Sequence, residues 1–207
     1  FCKIQNGNSI PVKKKKKLFL NLNEGTSYVA TKDLSLDGEI DYENGVKIPE
    51  KYNSSFRLSQ KNSTLVCIEG GSAGKKIAFN TQNCFFVNKL ASIYPSEKIN
   101  PKYLYHYLKS NYFINQFKEA LHGLIGGVSL TSIKNFKLSF PNIESQKKIV
   151  IKLDNVFNEI DNSISDQRKI IDNLKVISEN IMDKILKNYE YEKTTLDNVC
   201  LVQRGSS

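Results

Sequence analysis

The sequence predicts an α+β (mixed α/β) domain followed by a long α-helix of coiled-coil character. Three observations carry this. Short apolar runs bounded by turn residues fill the first hundred residues. Apolar residues then switch to helical spacing between 101 and 122. From Ile143 to Leu186 the chain holds neither Pro nor Gly, and its apolar residues recur every three or four positions.

The strand-like part begins irregularly. Val12 is followed by five lysines and then by the apolar run Leu18-Phe19-Leu20. Asn23-Glu24-Gly25 reads as a turn and Tyr28-Val29-Ala30 as a strand. Asp37-Gly38 and Asn44-Gly45 each offer a residue at ease with positive φ, so both mark turns. Between them, Glu39-Ile40-Asp41-Tyr42 alternates like a half-exposed strand. Thr64–Ile68 and Ile77–Phe79 bracket a glycine loop, and Cys84–Val87 and Leu90–Tyr94 continue the strand pattern. One helix is predicted over 101–122, with Leu104, Tyr107, Leu108, Phe113, Phe117 and Leu121 inward, Pro101 at its start and Gly123 at its stop. This first domain is expected to span residues 1–141.

Residues 142–188 are expected to form the long helix, started by Pro141 and Asn142. Its apolar stripe is Ile149, Leu153, Val156, Ile160, Ile164, Ile171, Leu174, Ile177, Ile181 and Ile185, with polar Gln167 near the middle. Some 44 helical residues extend about 65 Å. A stripe that long needs a second long helix, from this chain or another. Residues 189–207 read as a linker with a further feature: at an offset of 198 residues, Cys2, Gln5, Gly7 and Ser9 meet Cys200, Gln203, Gly205 and Ser207. The chain therefore looks as if it restarts its first module at its end. It opens on Phe1 rather than Met, which implies residues upstream.

Charge is uneven. Residues 1–141 hold 20 Lys+Arg against 10 Asp+Glu and residues 142–207 hold 10 against 11, so the first domain carries all of the excess behind the net charge of +9. A concentrated basic field attracts polyanions, nucleic acid first among them. A basic surface kept only for solubility is the competing reading, and AT-rich coding contributes to the lysine content. No apolar run reaches the roughly 18–20 residues of a membrane span, so no membrane partner is expected. Cys2, Cys67, Cys84 and Cys200 form no C-x-x-C pair and the chain has two histidines, so no metal or cofactor is expected and reduced thiols fit a cytoplasmic location.

Read in order, several segments resemble the specificity subunits of type I restriction–modification systems. Cys2-Lys3-Ile4-Gln5-Asn6-Gly7 is similar to the family's opening strand and glycine turn, and Tyr28–Leu34 to its aromatic-led strand ending in Asp-Leu. Gly70-Gly71-Ser72-Ala73-Gly74-Lys75 resembles the glycine loop, Pro101–Leu108 the helix after it, and Gly127–Ile133 the segment leading to the exit strand. Phe140-Pro141-Asn142-Ile143-Glu144-Ser145-Gln146-Lys147-Lys148-Ile149 resembles the entry to the long helix. The family usually has Pro-Pro there and no residue between Glu and Gln, whereas this chain has a single Pro141 and inserts Ser145.

The resemblance implies a non-catalytic subunit. Its target recognition domain would read one half of a split site in double-stranded DNA. Its long helix would pair with a second recognition half, in the same chain or as a homodimer, and would dock DNA methyltransferase subunits. A separate restriction/translocase subunit would cut. Two other readings stay open: a recognition module fused to a methyltransferase–nuclease chain, and a coiled-coil scaffold with a basic domain.

Recognition domains diverge within that family, so candidate contacts come from residue chemistry. Lys13, Lys14, Lys15, Lys16 and Lys17 suit phosphate neutralisation, or else form a solvated loop. Gly71, Ser72, Lys75 and Lys76 suit a loop whose backbone N–H groups approach phosphate, or a plain turn between strands. It is no ATPase phosphate loop, because Gly74 follows Gly70 after three residues and Lys76 stands where Ser or Thr is required. Lys32, Arg57, Asn80 and Gln82, with Asn53, Ser54, Gln60 and Asn83, have the groups that read base edges, and Arg57 is the first domain's sole arginine. Tyr103, Tyr105 and Tyr107 cannot share one helical face, which argues against a single-strand stacking platform. Asn100-Pro101-Lys102-Tyr103 lacks the second Pro of an amino-methyltransferase motif, and no methyl-donor fingerprint is present.

Overall fold

In the computed structural model, which describes residues 2–122, 126–190, 192 and 194–201, apolar alternation makes eight short strands among the described residues. In chain order the elements are β1 (Cys2–Asn6), α1 (Val12–Leu18), β2 (Thr26–Val29), β3 (Lys47–Ile48), β4 (Leu58–Ser59), β5 (Thr64–Cys67), β6 (Ile77–Phe79), β7 (Cys84–Phe86) and β8 (Leu90–Pro95). The helices α2 (Pro101–Lys109), α3 (Asn111–Glu119), α4 (Leu130–Lys134), α5 (Ile143–Lys187) and α6 (Leu196–Val199) follow. The chain divides into two units, residues 1–153 and 154–207.

The first unit holds two four-stranded sheets. One is antiparallel throughout, in the order β1-β8-β5-β6; the other runs β3-β2-β7-β4, with β2 and β7 parallel. Period-two alternation gives the first sheet two different faces. Val66, Ile77 and Ile93 turn to the helices, where Leu104, Leu108, Phe113, Phe117 and Ile133 cover them. Leu65, Cys67, Ala78 and Leu90 turn the other way and pack on Val29, Leu34, Cys84 and Phe86. A third cluster of Phe19, Tyr28, Val46, Ile48 and Phe85 is closed by Tyr52 and Phe56. Each fully buried large apolar side chain contributes about 1.5–3 kcal/mol.

Three expectations are corrected. The helix predicted over 101–122 breaks at Ser110, whose backbone is extended (φ −76°, ψ 158°). An unbroken helix would turn Phe113 about 140° away from the Leu108 face; the break returns Phe113 and Phe117 to the core that holds Leu104 and Leu108. Glu39–Tyr42 is no strand: Ile40 makes one isolated bridge, to Leu34, and the Ser35 and Asp41 N–H groups bond locally to Glu39 and Asp33. The lysine run is helix, not loop. After α4, Lys137–Phe140 is irregular and side chains satisfy its backbone: Tyr107 Oη donates to Lys137 O, Tyr103 Oη to Ser139 O, and Gln116 bonds Lys137 on both N and O.

Other expectations hold. β5 to β8 lie where the apolar runs placed them. Pro101 opens α2, capped by Asn100, whose Oδ1 accepts from the N–H groups of Lys102 and Tyr103. Asn142 Oδ1 accepts from Ser145 N and starts α5. Within the first unit, α5 buries Gln146 and Val150. The second unit holds the rest of α5 and then α6. Gly123 and the repeat at 202–207 lie outside the described residues.

Candidate nucleic-acid interface

Lys13–Lys17 occupy α1, where Lys13, Lys14, Lys16 and Lys17 are exposed and Lys15 is half-buried. Lys13 and Lys17 are like charges one turn apart, which disfavours the helix. It persists because Ile10 and Leu18, on either side of the run, pack against the cluster around Phe19. The result is a short rod of positive charge held against the second sheet's core.

The glycine loop is a built turn. Gly70 and Gly74 take positive φ (91° and 71°), and a side chain at Gly74 would lie 2.7 Å from the Phe117 ring. The N–H groups of Gly70, Ala73, Gly74, Lys75 and Lys76 all bond to backbone carbonyls. Among the described residues, the adjacent Gly71 and Ser72 keep uncommitted N–H groups in this stretch. Lys75 Nζ returns to Gly71 O at 3.2 Å, and Lys76 Nζ reaches Thr31 O at 3.1 Å, beside Lys32.

Lys32 is exposed and pairs at 2.6 Å with Asp33, which is buried. Asp33 also accepts from Ala30 N and Asn44 Nδ2, so it fixes the loop that displays Lys32. The Arg57 guanidinium bonds the side chain and carbonyl of Asn6, and Arg57 N donates to Asn8 Oδ1. Gln82, Asn53, Ser54, Gln60 and Asn83 are exposed.

Asn80 is a correction. Its side chain is fully buried; its Nδ2 faces Gln60 O (2.8 Å) and Ser59 O (3.3 Å), while its Oδ1 accepts from Tyr42 Oη (2.7 Å). It knits β4, β6 and β7 together and presents nothing to a base. The same network holds Cys84, whose thiol is pushed up to about 12 by burial. Burial also raises the Cys2 and Cys67 thiols. None of these three is an activated nucleophile. Among the described residues, no group of His, Cys, Asp and Glu is placed to hold a metal ion.

Residue chemistry alone missed a groove at the open edge of the first sheet. Cys2, Ile4 and Ile93 face the helices, so Lys3, Gln5, Ser92 and Tyr94 face the other way, with Lys3 opposite Tyr94 and Gln5 opposite Ser92. The second sheet covers this face up to β4, where Gln5 Nε2 donates to Leu58 O (2.7 Å) and Ser59 Oγ meets Ser92 Oγ (2.8 Å). Beyond β4 a space of about 140 Å³ opens, lined by Lys3, Gln5, Leu58, Gln60, Ser92 and Tyr94. The signal was the alternation of polar and apolar residues along β1 and β8.

On α5, Ile149, Val156, Ile160, Ile164, Ile171, Leu174, Ile177, Ile181 and Ile185 are exposed and Leu153 is half-buried. Within the second unit, Val156, Ile160, Ile164 and Ile171 border a shallow channel flanked by Glu159 and Arg168. No described helix is long and apolar enough to cross a membrane.

Residues 1–170 match the family model described as the type I restriction modification DNA specificity domain. Two solved structures share the fold. One belongs to work on complex assembly and conformational transition of the type I R-M system; it is 18% identical, with a TM-score of 0.71, over 88% of this chain and 43% of that one. The other is the HsdS subunit from Thermoanaerobacter tengcongensis, 18% identical with a TM-score of 0.58, over 77% of this chain and 35% of that one. The chain thus spans less than half the length of either. No curated protein matches it.

Proposed function

The chain belongs to the type I restriction–modification DNA specificity family, and from that premise we propose that it recognises duplex DNA by sequence and does no chemistry itself. The observation that carries this reading is the family match over residues 1–170, which takes in both sheets and the first part of α5. The recognition domain reads one half of a bipartite site. Its basic excess supplies sequence-independent affinity through the phosphates, and polar side chains supply the choice of bases.

The exposed stripe of α5 supports the second part of the proposal. Ten apolar residues from Ile149 to Ile185 require a facing helix. That helix comes from a second recognition half, in the same chain or in a second copy, and the pair sets the distance between half-sites. In a two-fold pair the half-sites are identical and oppositely oriented. Methyltransferase subunits dock on this assembly, and a restriction/translocase subunit joins it to cut, in the cytoplasm.

The test is selection from random duplex DNA by the purified chain together with its methyltransferase partner subunits. Enrichment of a split site is the expected result. Salt-sensitive binding with no enriched site would remove sequence recognition from the proposal.

A further inference from the structure

The groove beside β4 combines three features. Its lining contains no acid. Three of its side chains have polar atoms without a partner among the described residues: Lys3 Nζ, the Gln60 amide and Tyr94 Oη. Gln5 is pinned through Nε2 to Leu58 O, which leaves its second N–H available. Lys3, Gln5 and Tyr94 stand on a rigid base, because the opposite face of β1 and β8 is core. A further cation lies one residue along each strand, where Arg57 grips Asn6. Donor-bearing residues lining a concave, acid-free space favour a compact anion over a flat base edge, which needs a protruding reader.

We propose that this groove seats a phosphate of the DNA backbone and so fixes the register of the duplex on the recognition domain. The inference rests on the DNA-recognition reading above. Lys3 supplies the charge, while Tyr94, Gln60 and Gln5 supply neutral donors that orient the phosphate. A space of 140 Å³ holds about four or five waters, which the phosphate oxygens would replace.

The experiment compares the wild-type chain with Lys3→Gln and Tyr94→Phe, both changed at solvent-facing atoms, for binding to the selected duplex and to a random duplex across a salt series. Phosphate-ethylation interference on the selected duplex supplies a second readout. Lys3→Gln should weaken both duplexes alike and lower the slope of log K against log salt by about 0.9. Tyr94→Phe should weaken both about ten-fold with the slope unchanged, since it removes a neutral donor to an anion. One phosphate whose ethylation blocks the wild type should cease to matter in Lys3→Gln. An unchanged salt slope and ethylation pattern in Lys3→Gln would overturn the seat, and so would an altered base preference. A wild-type chain that binds no duplex would overturn the recognition reading itself, and that result appears in the wild-type arm alone.

Discussion

The side-chain amide of Gln146 closes on the backbone N–H of Asn100: Oε1 accepts it at 2.8 Å, while Nε2 donates to Lys98 O at 3.0 Å and Pro141 O at 2.8 Å. Gln146 is fully buried, so no solvent competes for these bonds. Asn100 in turn caps α2 through its side chain. A single glutamine therefore ties the first turn of α5 to the start of α2.

Gln146→Leu keeps the volume but strands an N–H and two carbonyls in a dry site. Each costs about 1–3 kcal/mol when left unpaired, with relaxation recovering part. A loss of about 2–4 kcal/mol is expected, read as a lower urea midpoint by the near-ultraviolet signal of the tyrosines. Gln146→Glu keeps the acceptor and loses both donor bonds, so it should also destabilise. A midpoint unchanged in both variants would show that these bonds contribute nothing net.

The thiols should separate by burial. Cys200 is exposed, whereas Cys67 and Cys84 are buried. At neutral pH a maleimide should modify Cys200 at once and Cys84 only on unfolding, because the thiolate is the reactive form. The same burial makes an alkaline prediction. Cys84 rises from 9.0 to about 12 and Tyr28 from 10.0 to about 12, both chiefly by burial. A folded pKa above the unfolded one means the stabilisation is complete below about pH 9 and is lost as pH climbs through about 12. Stability should therefore be flat with respect to these groups up to about pH 9 and fall between about 9 and 12. Cys84→Ala should remove part of that fall.

The lysines of α1 should give affinity without choice. Replacing Lys13, Lys14 and Lys17 together by Gln should weaken specific and random duplexes alike and reduce the salt slope by about 0.9 for each phosphate no longer neutralised. The enriched site should stay the same. A slope equal to wild type would make α1 a solvated face.

Where the sequence was legible, local chemistry and tertiary need agreed. β5 and β7 are short runs, Thr-Leu-Val-Cys and Cys-Phe-Phe, that bury both faces. Pro101 and Asn142 mark helix starts through their own backbone and side-chain chemistry. The failures share a cause: a distant partner decides. Five lysines predict no helix, and Ile10 with Leu18 impose one from the core. Apolar spacing across 101–122 suggests one helix, but one core takes both Leu108 and Phe113, and the helix breaks at Ser110. Asn80 resembles a base reader until Tyr42 and the β4 carbonyls claim it. Lys3, Gln5 and Tyr94 are ordinary strand residues in the sequence, and only the register of β1 on β8 gathers them. The entry motif Pro141-Asn142 through Gln146 was conspicuous in the sequence, yet the part Gln146 plays depends on Lys98 and Asn100, more than forty positions away.

The apolar stripe of α5 gives the last prediction. Phe157, Ile164, Ile171 and Ile185 fall on a seven-residue frame that Ser178 interrupts, and Leu153, Ile160, Gln167, Leu174 and Ile181 fill its second seam position. In the single chain Ile164 is 46% exposed and Ile171 52% exposed, so both retain much of their apolar surface for a facing helix. Burying such a side chain contributes about 1.5–3 kcal/mol, whereas an aspartate there must bring its charge out of water. Ile164→Asp with Ile171→Asp should therefore abolish helix pairing, seen by sedimentation velocity as loss of the associated species. Its DNA affinity should fall to that of a single recognition domain on a single half-site. Gln167→Leu should act the other way, strengthening pairing while relaxing its register, because a polar seam residue specifies alignment at a cost in stability. If both variants sediment as the wild type does, the stripe is not the pairing surface.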